Sequence, residues 1–483
     1  MGKSRAAIAA RFFICGVVLW LGACAKPVEQ PAIRFAIAQA PLTLDPRYAT
    51  DAASERVNRL IYQPLVDFDA HYRPTPALAS WQRLTPTLYR FTLKSSGRRF
   101  HDGGVLNAQD VVATYQSLLA LKDAPHAAEF SNIADIRATD DNTVEFTLHA
   151  PDSEFPAKLI IGILPARLLQ QQHDFAHRPI GSGPLKFVSW NRTLRLQRVA
   201  DAQDILLEEV KDPTVRVLKL LRGEADLLQG DLPPELVAYL KKQPGVQVLE
   251  SRGTNYSYLG FNLQDPVLKN PLIRRAVALA INRDAIIANA MVGGTRPATA
   301  ILPPEHWAGN AALKPYPYDP MQARALLQQA GVKLPLKLVY KTSTDAQRVR
   351  LATVMQAQMR EAGIELEIRS LDWGTFFEDI KQGRFQLYGL TWVGIKTPEI
   401  YAKAFHSAFT PPKGANRGRL QDAQLDAHIS QSDWPAATQR VHELLPYVPL
   451  WYEGQFAALG KGVSAYQPAA DGNWDGLAFV SKQ

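Results

Sequence analysis

Cysteine is nearly absent. The 483-residue chain has two, Cys15 and Cys24, both close to its N-terminus. That excludes a disulfide framework, a CxxC redox pair and a zinc ribbon from the body of the protein. Long hydrophobic runs are also missing. The apolar stretch 12–21 is half the roughly 20 residues that span a bilayer. No sign of charge is concentrated either: once Lys3, Arg5 and Arg11 are set aside from the 54 basic residues, the remaining 51 exceed 46 acidic ones by five, without a basic run. Nucleic acid is therefore not an expected partner. The signatures of common chemistries are lacking too. Gly181-Ser182-Gly183 is too short for a nucleophile elbow and runs into Pro184, and no P-loop, GxGxxG, HExxH or EF-hand pattern occurs. Of ten histidines only His173 and His177 stand four apart, in a polar connection, so no metal centre is expected. Nothing here calls for an enzyme or a cofactor.

What is present begins with a tripartite start: a basic segment, the ten apolar residues, then Gly22-Ala23. This is the pattern of an export signal. Leu21-Gly22-Ala23-Cys24 resembles the lipobox of bacterial lipoproteins. The resemblance implies a signal peptide over 1–23, acylation of Cys24, and a lipidated tether over 24–32. Several acyl chains hold a protein to a membrane firmly where one does so only marginally.

Beyond the tether, 46% apolar and 21% charged residues describe an ordinary globular chain, long enough for two to four domains at roughly 150 residues each. No repeat is seen, and 34 prolines with 30 glycines punctuate many short elements. Asn107 and Asp110 predict a capping box before a helix, and Asp319-Pro320 opens another that Gly331 stops. Short strands are expected at 89–93, 144–148, 246–249 and 258–261. Segment 336–392 alternates strand 336–340, helix 346–362, strand 364–368, helix 373–381 and strand 385–391. That order predicts a parallel sheet with right-handed crossovers, and its loop 392–398 is a site by geometry, since ligands sit beyond the carboxyl ends of such strands. A second α/β unit, opened by strand 33–38, is expected from 215–221, 225–228 and 246–261. Two units joined by two chain crossings, near 260–266 and near Leu445, make a hinge and a cleft.

A family resemblance rests on motifs in order: Leu44-Asp45-Pro46, Ile61-Tyr62-Gln63-Pro64-Leu65-Val66, Pro76-Ala77-Leu78-Ala79, Phe100-His101-Asp102-Gly103 with Ala108-Gln109-Asp110-Val111-Val112, Pro179-Ile180-Gly181-Ser182-Gly183-Pro184, Leu221-Arg222-Gly223-Glu224-Ala225-Asp226, Leu259-Gly260-Phe261-Asn262, and Arg274-Arg275-Ala276 to Ala280-Ile281-Asn282-Arg283. Over roughly 33–480 the chain resembles the family 5 extracellular solute-binding proteins, the dipeptide and oligopeptide receptors of ABC importers. The resemblance implies an α/β, type II periplasmic-binding fold: two hinged lobes plus an extra inserted domain. Lobe I would combine 33–60, 179–265 and 446–483, the inserted domain 61–178, and lobe II 266–445. It also implies a monomer in the cell envelope that hands its solute to a permease and ATPase. Gly103 and Gly183 are expected as turn glycines and Asp110 as a cap.

One departure bears on the cargo. In peptide receptors of this family a Gly-Trp-x-x-Asp stretch supplies a carboxylate to the peptide amino group, whereas here Trp392 is followed by Val393, Gly394, Ile395 and Lys396. Isoleucine cannot neutralise an ammonium, and Lys396 favours a carboxylate or phosphate. The remaining expected ligand contacts are Gln39 and Ala40 after the first strand, Tyr256 and Tyr258, and Trp451 and Tyr452. The cargo expected is a peptide or peptide-like solute. Alternatives are an acidic compound, a glycoside, an opine or a metal chelate, or a transport-inactive envelope sensor or scaffold.

Overall fold

The computed structural model describes residues 31–121 and 126–483. The export signal, Cys24 and most of the tether fall outside the described residues. Among those described, no helix is long and apolar enough to cross a membrane.

One 11-stranded sheet runs through the molecule and is shared by both lobes. At one end Leu336–Ser343 pairs in parallel with Ile364–Leu371 and with Leu387–Trp392. The helices between them are Ala346–Glu361, whose N-cap Asp345 accepts the Arg348 N–H at 2.9 Å, and Trp373–Gln382, capped by Asp372. The alternation expected for 336–392 is present, with the first two strands each three residues longer and the third displaced to start at Leu387. At the other end Ile33–Ile37 lies parallel to Asp204–Glu209 and Leu227–Gln229. Two antiparallel strands, Thr193–Arg198 and Leu185–Trp190, complete that edge.

The middle of the sheet differs from expectation. Instead of two short strands at 246–249 and 258–261, one 15-residue strand, Gln247–Phe261, pairs antiparallel with Tyr447–Leu459. These two strands pass from one lobe to the other. Their register slips between Ser251 and Asn255, where Gly253 lies so close to the facing backbone that a Cβ would stand 1.6 Å from the Glu453 carbonyl oxygen.

A four-stranded antiparallel sheet, Ala79–Thr85, Leu88–Leu93, Thr143–Leu148 and Ile133–Asp140, belongs to the inserted region. Helix Ala108–Ala120 covers it, burying Val111, Tyr115 and Leu118 against Phe91, Phe130 and Phe146. Its capping box is complete: Asn107 accepts the Asp110 N–H, and the Asp110 carboxylate accepts the Asn107 N–H at 2.8 Å. Asp110 also accepts the Ala166 N–H at 2.7 Å, which ties the helix to the next segment.

Two glycines expected in turns part ways. Gly103 does hold the left-handed region, with φ +91°. Gly183 has no positive φ; it is required because the chain passes against the end of helix Ala52–Ile61, where a Cβ would stand 2.4 Å from the Leu60 carbonyl oxygen. Close approach, not turn geometry, is the reason for that glycine.

Candidate functional site

The parallel strands of the 336–392 unit carry their carboxyl ends toward the opposite lobe. From the last of them, loop 393–398 crosses the gap. Lys396 Nζ meets Asp471 Oδ2 at 3.1 Å and lies 5.6 Å from the Phe68 ring centroid. Burial alone would raise the Asp471 carboxyl, but Lys396, the Asn473 N–H and Arg59 together outweigh it and hold that group below the usual carboxylate range. The expectation that Lys396 seeks a carboxylate is met within the chain itself, so its charge is not spare. Beside it Lys158 pairs with Glu399 at 2.8 Å, the Trp307 N–H donates to the His71 carbonyl at 3.0 Å, and Tyr72 stacks on His306. On the far side Arg350 pairs with Glu235 at 3.2 Å. Lobes and inserted region are thus in contact around a closed cleft.

Inside that cleft is a cavity of about 230 Å3, walled by Leu232 and Pro234 on one side, the start of helix Ala346–Glu361 on the other, and the two crossing strands. A second cavity of about 170 Å3, lined by Arg56, Gln229, Asn255 and Gln455, adjoins it through Glu453, Gly454 and Phe456, which border both. The first has an apolar wall of Met291, Leu351, Met355 and Leu450 and a short polar row. Glu453 Oε1 accepts from Ser257 Oγ at 2.5 Å and from Thr391 Oγ1 at 3.0 Å, and Arg348 Nη2 donates to Thr391 at 3.3 Å. An acid and a base therefore stand one hydroxyl apart. Among the described residues neither has an ion-pair partner. Trp451, 2% exposed, borders the same cavity with its indole N–H unpaired.

Strand alternation explains where the expected residues fall. Tyr256, Tyr258 and Tyr452 on the crossing strands and Trp392 on the neighbouring Leu387–Trp392 share one face of the sheet, while Ser257, Thr391 and Glu453 occupy the other. Tyr256 and Tyr452 pack in the core, and neither borders a cavity described above. The Tyr452 hydroxyl donates to the Ala300 carbonyl at 2.6 Å. Tyr258, also buried, stacks on Tyr447 at 3.9 Å, accepts from Arg417 at 3.1 Å, and borders the first cavity together with Trp451. Trp392 is half-buried beneath Arg417, 4.7 Å from its ring. Val393 is exposed, Gly394 adopts φ +69°, and Ile395 leans on the aromatic core. Gln39 is exposed, and the Ala40 N–H already donates to Glu209 at 3.2 Å, so an added ligand strand would have to displace that bond. His173 and His177 turn to separate partners, Arg178 O and Asp174, and among the described residues no group of metal-ligating side chains forms. Sequence reading missed Arg348, Thr391 and Glu453 as a group. The available signal was period-2 spacing of polar residues opposite the tyrosines.

The family model for "Bacterial extracellular solute-binding proteins, family 5 Middle" matches residues 72–409. The glutathione-binding protein GsiB of Escherichia coli (strain K12) is 28% identical over 467 residues, covering 89% of this chain and 90% of that one. DppA of Helicobacter pylori, solved with the peptide STSA, matches with a TM-score of 0.74 at 26% identity, over 94% of this chain and 98% of that one. HbpA2 of Haemophilus parasuis matches with a TM-score of 0.81 at 24% identity, over 94% and 100%, and speaks for the fold alone. Two lobes on one shared sheet, a cleft between them and a matched segment of this length lead to one assignment: the chain belongs to the family 5 bacterial extracellular solute-binding proteins, the extracytoplasmic receptors of ABC importers, and is not an enzyme.

Proposed function

We propose that this receptor captures a small peptide or peptide-like solute between its lobes and delivers it to the permease and ATPase of an ABC importer. The observation that carries the reading is the interlobe cavity, about 230 Å3, with an unpaired acid, an unpaired base and an apolar wall in contact with both lobes. That volume is below the roughly 300–1,000 Å3 of pockets for drug-sized ligands, and the charges suit a zwitterion with an apolar side chain. The names of the relatives, one binding glutathione and one solved with a peptide, point the same way. A ligand touching both lobes stabilises the closed form by its differential affinity for it. The packing supports a division into lobe I (33–60, 179–265, 446–483), an inserted domain (61–178) and lobe II (266–445), although Ile61, Tyr62, Leu164, Leu168 and Phe175 pack with a lobe I core, and Leu259, Phe261, Val448, Leu450 and Trp451 with a lobe II core. The second reading, a non-peptide cargo, is favoured by Ile395 standing where peptide receptors place an acid.

Native mass spectrometry of the gently purified protein, followed by denaturation, tests the assignment. Release of short peptides is the expected outcome; a single non-peptide mass would establish the second reading. The lipid anchor at Cys24 is part of the proposal, and the receptor acts there as a tethered monomer. Cys24→Ser is expected to move the protein from the membrane to the soluble envelope fraction and to abolish labelling by radioactive palmitate. Unchanged fractionation would refute the anchor.

A further inference from the structure

A peptide held in this cleft brings an ammonium that must be neutralised once water is excluded. Loop 393–398 does not supply the acid: Ile395 is apolar, and Lys396 is a cation already paired with Asp471. Of the other acids near the cleft, Asp231 borders the second cavity but is exposed, and four more are engaged. Asp471 holds Lys396, Glu399 holds Lys158, Glu235 holds Arg350, and Asp345 caps its helix. Glu453 differs. It stands on a crossing strand, half-buried, where the two cavities meet. Its partners among the described residues are the hydroxyls of Ser257 and Thr391, both on Oε1. Hydroxyl donors hold a carboxylate in place without neutralising it, which leaves Oε2 for a charged donor.

We propose that Glu453 is the specificity-determining acid of this receptor and accepts the free ammonium of the solute, so that amine recognition sits on the hinge rather than on the loop after Trp392. The inference rests on the peptide reading given above. Two further features belong to the same site. Arg348, across Thr391 from Glu453, is placed for a carboxylate, and the buried indole N–H of Trp451 is unpaired for a peptide carbonyl. Because Gln247–Phe261 and Tyr447–Leu459 connect the lobes, an ammonium bound at Glu453 would sit where the chain crosses between them.

The probes are alanyl-leucine and its N-acetyl derivative, titrated calorimetrically into the full chain and into Glu453→Gln. The wild type is expected to prefer the free amine by at least about tenfold, the worth of a charge-assisted hydrogen bond. E453Q should lose that preference while keeping its affinity for the acetylated peptide and its thermal midpoint. If both proteins prefer the free amine equally, Glu453 is not the acceptor although the peptide reading stands. If the wild type binds neither peptide, both fail together. Should E453Q not fold, a crystal structure of the wild type with alanyl-leucine decides. The ammonium within hydrogen-bond distance of Glu453 supports the assignment, and any other location overturns it.

Discussion

Arg283→Met is expected to destabilise the lobe built around residues 266–445 by about 3 kcal/mol, as a lowered urea midpoint. Arg283 is 4% exposed and has no ion-pair partner among the described residues. Its Nε donates to the Pro449 carbonyl at 2.6 Å, and Nη1 is shared among the carbonyls of Ala278, Ile281 and Tyr316 at 3.1–3.2 Å. Burial presses the guanidinium down to about 10, far below its ordinary value, so the charge is carried at a cost. Methionine would relieve that cost and fill much of the volume. It would also leave up to four carbonyls without this donor, at about 1–3 kcal/mol for each that water cannot reach. The second effect wins because the acceptors come from three separate segments. Arg283→Lys should recover only part of the loss, since one ammonium cannot reproduce the planar spread of donors. An unchanged midpoint in the methionine variant would sink this account.

The second large effect is expected from Gly181→Ala. A Cβ there would stand 2.0 Å from the Ile61 carbonyl oxygen and 2.7 Å from its carbon, backbone atoms that cannot swing aside. Those atoms end helix Ala52–Ile61, and the neighbouring Gly183 N–H donates to the same Ile61 oxygen at 2.7 Å. The segment also receives His101, whose N–H donates to the Gly181 carbonyl at 2.8 Å and whose ring Nε2 meets the Gly183 carbonyl at 3.0 Å. Burial holds that imidazole below its ordinary pKa and so favours the neutral ring. Overpacking of this kind costs about 1–3 kcal/mol or more, and here the strain falls where the inserted region leaves and rejoins the lobe. Gly103→Ala is the control. It meets open space and should cost about 1 kcal/mol, for the left-handed backbone alone. Thermal unfolding of the two variants side by side tests the contrast, and equal losses would refute it.

Motifs legible in the chain turn out to be largely devices of packing. Phe100-His101-Asp102-Gly103 and Pro179–Pro184 are nearly eighty residues apart in sequence, yet they touch through His101 and Gly183. The segment ending in Arg283 was legible as a family signature, but its carbonyl cage was not, because Pro449 and Tyr316 lie far along the chain. The capping residues Asn107 and Asp319 and the alternation of 336–392 were readable because they depend on contacts within a few residues.

By itself, then, the sequence determined the order of many elements, since helical and strand periods, caps and turn residues are local properties of the chain, while the class of fold and the kind of protein came from the resemblance of its ordered motifs to one family. Only the tertiary structure decided the site. Ser257, Thr391 and Glu453 come together because two long crossing strands and the neighbouring Leu387–Trp392 place every second residue on the cleft face, and Arg348 reaches them from the first turn of helix Ala346–Glu361. The tyrosines, one residue out of step, turn to the other face of the sheet. A one-residue phase along a strand separates core from cleft, and that phase is set by pairing with distant strands.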